Sequence, residues 1–449
     1  MTTSSSVDWN PQLEQKRLQD AAELLLDQAK TLGADDIDLG AGSSQGLSVT
    51  VRNGEPEVLE FEKDGSVGVT VWVDGCKGSA STSDISPAAL QNCLQAAMDI
   101  AKYTQPDPYS GLAEADQLAR EIPDLELDFD WPIDSDRAMQ LAGEAEAAAL
   151  SHPGIVNSEG GDLSTRRSVR VHANSRGLMA LSQGSQHSLS AVVLAKDSEG
   201  MQRDYAYDSR RNPAQLQAPE QIGHEAAERT LARLNARPIE TGHYPVVFDP
   251  RMAQGLIGTL SSALNGNAIW RQSSWLIDAM DQQVLPEWAE LQERPHLRSG
   301  NGSSPIDGDG LATREQSFIQ QGRVCSWVLD VYAARRLSMV STANSGGTRN
   351  LWLPGGQGSQ ADLLRQMDRG LLITEMMGQG VNAVTGDYSR GAAGYWVENG
   401  VIQHPVQGIT LAFNLRSLWP TLAAVAGDYD DRGRIIASSM LFPSVSVAA

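Results

Sequence analysis

Cysteine is scarce in this 449-residue chain, and positive charge is outweighed. The three cysteines, Cys76, Cys93 and Cys325, lie far apart and form no Cys-x-x-Cys pair. That usage predicts ordinary buried thiols in a reducing cytoplasm. Basic residues number 35 against 56 acidic ones, a formal net charge of −21. Such a surface repels phosphate backbones and anionic bilayers, which speaks against direct nucleic-acid binding. No run of 18 apolar residues occurs, so no membrane-spanning helix is predicted. The opening stretch, up to Arg17, has no basic segment followed by an apolar core, and no signal peptide is expected.

The common catalytic signatures are missing as well. A zinc-protease helix needs two histidines one turn apart with an acid beside the first. The single His-Glu pair, His224-Glu225, is followed at the right spacing by no second histidine. The other six histidines are scattered. There is no Gly-x-Ser-x-Gly elbow, no phosphate-binding loop and no dinucleotide fingerprint. Asp307-Gly-Asp309-Gly lacks the twelve-residue calcium-loop pattern and reads as a turn.

What is present is a well-punctuated globular chain. Apolar residues make up 41% of it, enough for an ample core and two to four domains. Asn10 to Thr31 has helical apolar spacing, and Ser86-Pro87 starts a second helix with a cap and a first-turn proline. Between them, four short strands are expected: 37–40, 47–52, 57–62 and 66–73, with Asn53-Gly54 as a hairpin turn. A short helix is expected over 112–119, a long one over 135–150 and another over 222–235. Strands near 165–173, 185–195 and 201–207 form a second sheet. The second half reads as mostly antiparallel strands with a few helices, one of them over 252–264. Asp278 to Gly310 reads as a surface excursion, and 324–332 as a strand. The fold class is therefore α+β. A boundary is placed near 237, with an N-terminal domain of two similar lobes (about 1–105 and 133–237) and a β-rich domain over 238–449.

The most distinctive stretch is Leu371 to Gly400. An apolar run enters it, and six glycines follow between Gly378 and Gly400. So many glycines exclude an ordinary helix, since each costs about 1 kcal/mol there. They suit tight turns or close backbone approach. Two readings stand: a peptide- or partner-binding surface, or bulged turns at a sheet edge. The candidate binding residues are Glu375, Gly378, Gly380, Asn382, Asp387, Tyr388, Ser389, Arg390 and Gly391. No catalytic set and no metal-ligand set emerges from the residues themselves.

The run from Glu375 to Gly400 closely resembles the PmbA/TldE family, known as modulators of DNA gyrase. So do His404-Pro405-Val406, Ile409-Thr410, Tyr244-Pro245-Val246, Arg271 to Leu276, Pro295-His296-Leu297 and Thr342 to Gly347. The resemblance covers nearly the whole chain. It implies a non-catalytic subunit that pairs in the cytoplasm with a TldD-like protease subunit. That partner carries a HExxxH helix and zinc, and the pair encloses a chamber for unfolded peptides held by strand pairing. Carried onto this chain, the HExxxH positions fall on Thr259, Leu260 and Leu264, so no zinc is expected here. Two alternatives stay open: a self-sufficient metallopeptidase, and a peptide-binding scaffold acting with DNA gyrase. A homodimer is a further expectation when the partner is absent.

Overall fold

A computed structural model describes residues 9–198 and 200–449; part of the stretch read for a leader lies outside them. The first half runs α1 (Pro11–Thr31), β1 (Asp36–Arg52), β2 (Glu55–Val73), β3 (Cys76–Thr82), α2 (Pro87–Ala101), α3 (Ser135–Leu150), β4 (Ile155–Asn174), β5 (Met179–Lys196), β6 (Met201–Arg210) and α4 (Pro219–Leu231). The helices start where their caps demand. The Asn10 side chain accepts from the Gln12 and Leu13 amides, and Ser86 accepts from that of Ala89. Helix α1 buries Leu18, Ala21, Ala22, Leu25 and Ala29, one stripe at helical spacing.

The two expected sheets are one. Six strands lie in the order β3-β2-β1-β4-β5-β6. The four short strands expected before residue 74 are the two long strands β1 and β2, paired from Asp36–Trp72 to Arg52–Glu55. Gly40, Gly42 and Gly46 sit inside β1 without ending it, because β2 and β4 flank that strand and satisfy its backbone on both sides. Asn53 and Gly54 both have positive φ, as the hairpin turn requires. Helices α1 and α2 cover one half of the sheet, α3 and α4 the other. Small residues let the second pair sit close: a Cβ on Gly161 would lie 2.0 Å from the Ala142 carbonyl. The helix expected over 112–119 does not form. That segment is irregular and packs Ala113 and Leu118 against Leu178 and Leu311.

The second half runs β7 (Gly242–Phe248), α5 (Pro250–Ala263), α6 (Gly266–Trp270), β8 (Leu291–Glu293), β9 (Gln316–Gln320), β10 (Arg323–Val324), α7 (Val331–Arg336), β11 (Leu351–Trp352), α8 (Gln360–Met367), β12 (Gly370–Met377), β13 (Asp387–Glu398), β14 (Val401–Asn414), α9 (Leu415–Leu418), β15 (Ala424–Val425), β16 (Ile435–Ile436) and β17 (Met440–Ala448). Strands β14-β13-β12-β7-β17 are hydrogen-bonded in that order, and β17 also pairs with β14, closing the ring. Phe248, Trp419 and Phe442 pack edge-to-face beneath it.

Two expectations fail in this half. Residues 278–310 are not a surface excursion: Leu285, Leu291 and Glu293 are buried. Polar groups there are satisfied internally, with Glu293 accepting from Asn344 and from the Arg349 amide. Of 324–332, expected as a strand, only Val324 belongs to one, the end of β10, and Asp330 caps α7 further on. The thiols also differ from expectation. Cys93 is buried, whereas Cys325 is exposed. Among the described residues no helix is long and apolar enough to cross a membrane.

Candidate functional site

The glycine-rich stretch is the β12–β13 hairpin. Its nine candidate residues divide into three groups. Gly378, Gly380, Asn382 and Asp387 build the connection. Gly378 takes positive φ, and a Cβ on Gly380 would lie 1.7 Å from the Ser389 carbonyl. The Asn382 side chain accepts from the Val384 and Thr385 amides. Asp387 accepts from Thr385 Oγ1 at 2.7 Å and Asn414 Nδ2 at 2.9 Å. Those two donors hold its carboxyl below the usual range. Ser389 and Gly391 are strand positions in β13, the Ser389 amide bonding to Gly380.

Tyr388 and Arg390 form the second group. Tyr388 is buried and stacks on Phe413 at 4.4 Å. Arg390 lies over that ring and donates to the Met376 carbonyl. Glu375 stands alone as the third. Strand β12 carries one extra residue at Thr374 against β13, and such a bulge re-aims neighbouring side chains. Thr374 faces a cleft, and Glu375 pairs with Arg233 just beyond α4. The structure thus ties Glu375 to the N-terminal half and leaves Asn382, Asp387 and Ser389 at the hairpin's outer end.

The cleft itself was not legible in the sequence. It holds about 660 Å³ and lies between α4, the edge strand β6 and the C-terminal ring. Arg229, Asp249, Arg251, Tyr395, Asp430 and Arg432 line it. Arg432 clasps Asp430 through two bonds, 2.9 and 2.7 Å, and covers the Tyr207 ring at 4.4 Å. Arg251 covers Tyr205 at 5.2 Å. Asp249 caps α5 by accepting from the Met252 amide at 2.8 Å. Burial lifts its carboxyl to about 7, and the acids Asp204 and Asp430 add to the rise. The Met252 amide and Arg229 oppose it. A lining of guanidinium and carboxylate groups suits a polar ligand better than an apolar one. The run Asp428 to Arg434 is dense in charge and could have pointed here; its long-range partners could not.

Metal chemistry needs converging ligands, and the described residues do not provide them. No group of three or more His, Cys, Asp and Glu side chains among them is placed to hold an ion. Leu260 on α5 and Leu264, which caps its C-terminal end, are fully buried in the main core. Thr259 donates its hydroxyl to the Leu256 carbonyl at 2.6 Å. His152 and His224 touch at 2.8 Å on the surface but have no third ligand.

Comparison with known proteins agrees with this architecture. Models of the PmbA/TldA metallopeptidase domain 1, central domain and C-terminal domain match residues 38–101, 129–234 and 241–449. Metalloprotease PmbA of Escherichia coli O157:H7 is 42% identical over 97% of both chains. The PmbA homologue of Haemophilus influenzae is 39% identical, again over 97% of each. A crystal structure from Bacteroides thetaiotaomicron, described as a modulator of DNA gyrase, superposes with a TM-score of 0.91 at 25% identity, covering 96% of this chain and 98% of that one. TldE of Thermococcus kodakarensis shares the fold, with a TM-score of 0.79 at 19% identity, covering 96% of this chain and all of that one. With three family models and a 42% identical full-length relative, the chain belongs to the PmbA/TldA metallopeptidase family.

Proposed function

We propose that this chain is the non-catalytic subunit of a two-subunit cytoplasmic protease acting on unfolded peptides. Zinc is held by a TldD-type partner. One observation carries the reading: of the positions onto which the family resemblance carries a HExxxH zinc helix, Thr259, Leu260 and Leu264, the two leucines are core residues. A buried leucine offers neither a lone pair to a metal nor a basic group to a water. The polar cleft beside Glu375 is the surface this chain contributes to peptide handling. Replacing Glu375 removes one of the two carboxylate partners of Arg233, leaving Asp204, and should lower the activity of the assembled pair. The test is metal analysis of the purified chain together with a peptide-cleavage assay. Substoichiometric zinc and no chelator-sensitive cleavage are expected. One tightly held zinc per chain with cleavage would overturn the reading.

A further inference from the structure

The sheet of the first half leaves one long edge unpaired. Strand β3 pairs with β2 only from Val67 to Val73. Before that, β2 bonds to β1 alone, from Glu55 to Ser66. Among the described residues no other backbone group bonds to this segment. Every residue of it is exposed apart from Val58, which is half-buried. At ~3.3 Å per residue the free edge runs for roughly 40 Å. Pro56, near one end, has no amide to offer, which is common on edge strands.

Two features of this edge point to an occupant. The first is apolar. Leu59 is 46% and Phe61 67% exposed. They pair with Val49 and Leu47, which are themselves buried. The sheet's apolar face thus continues outward onto two side chains that the described residues leave largely exposed. Charge and proline suffice to protect an edge from aggregation, so two exposed apolar anchors beside them call for another account. The second is electrostatic. The segment bears Glu55, Glu57, Glu60, Glu62 and Asp64 against one base, Lys63. Lys63 lies 3.9 Å from Glu14, and Asp64 lies 3.4 Å from Arg166. A second copy laid on this edge would set acid against acid, which is unfavourable for directly opposed strand residues.

We propose that the Glu55–Ser66 edge of β2 is the docking strand for the partner subunit, which adds a β-strand carrying Lys or Arg between apolar residues. Backbone hydrogen bonds supply the affinity, Leu59 and Phe61 fix the register, and the acids select against self-pairing. This rests on the two-subunit reading above and adds where the subunits meet.

The test uses the full chain co-expressed with the TldD-type chain of the same genome, read by mass photometry and by peptide hydrolysis. Three forms are compared: wild type, Glu60→Lys/Glu62→Lys, and Phe61→Asp. Both variants alter only exposed side chains, and thermal unfolding curves matching wild type verify that each folds. The wild-type pair should form and weaken as salt rises. The charge-reversed form should bind at least tenfold more weakly, and Phe61→Asp should lose binding as well. A wild-type complex formed equally well by both variants would overturn the docking strand while leaving the two-subunit reading intact. Failure of the wild-type chains to associate at all would overturn both.

Discussion

The N-terminal sheet treats its two sides in opposite ways. On β6 the outward backbone groups are met by side chains. Asp204 accepts from the Tyr205 amide and Asp208 from the Ser209 amide, at 2.8 and 2.9 Å. Arg432 donates to the Tyr207 carbonyl and Asn301 to that of Ser209. Both of those donors come from the C-terminal half, so this edge is also the seam between the halves. On β2, the backbone of Glu55 to Ser66 bonds, among the described residues, to β1 alone. A strand edge is a row of open donors and acceptors, and one that is capped cannot accept another chain. The contrast teaches that β6 is spent on holding the molecule together, while β2 is left for an outside partner.

The largest effect should come from cutting the seam. Arg432→Ala removes the partner of Asp430, which is 8% exposed. Leaving a buried charge unpaired costs on the order of 3 kcal/mol. Urea unfolding should show it, and an unchanged midpoint would mean the seam is not energetically coupled to β6. Next comes the cap itself. Asp208 is fully buried and accepts from the Ser209 and Gln217 amides. Asp208→Ala should cost about 2 kcal/mol through those unsatisfied groups. A loss under half of that would show water replacing the carboxylate.

An effect that appears only as pH is varied should come from Asp249. Its carboxyl is raised from the usual 3.8 to about 7 in the folded chain. The folded state therefore binds a proton that the unfolded state has already released between about pH 4 and 7. This group's contribution to stability is present at the acid end of that window and is lost as pH rises through it. Asp249→Asn keeps a capping side chain and should flatten the stability profile over that window relative to wild type. Parallel profiles would show that Asp249 is ionised throughout. The smallest effect belongs to β2. Phe61→Lys changes an exposed side chain and should alter stability by no more than about 0.5 kcal/mol. A loss comparable to that of Asp208→Ala would mean that β2 is structurally committed, and the contrast between the edges would collapse.

Much of the local fold was legible because local rules decide it. Asn10, Ser86 and Asp134 cap helices where their side chains can reach the first-turn amides. The Asn53-Gly54 and Asn399-Gly400 turns hold positive φ as their residues suggest. What failed was decided at long range. Residues 37–52 read as two short strands, but flanking strands hold the chain extended through Gly42 and Gly46. The proline-rich segment 278–310 looked solvated, yet Asn344 and Arg349 satisfy Glu293 inside the protein. Of the candidate site, the hairpin's turn chemistry was readable from Gly378, Asn382 and Asp387. The cleft was not, since Asp249, Arg229 and Arg432 meet only through the tertiary fold. Tyr388 illustrates the gap: it stands among the binding candidates in the sequence, yet it stacks on Phe413 in the core.

The central claim concerns division of labour between two chains. Its most direct test measures hydrolysis of an unstructured peptide by this chain alone, by its TldD-type partner alone and by the equimolar mixture. Each is run with zinc and with a chelator. Zinc-dependent cleavage that requires the mixture is the predicted result. Chelator-sensitive cleavage by this chain alone would contradict it, and would demand metal ligands that its described residues do not bring together.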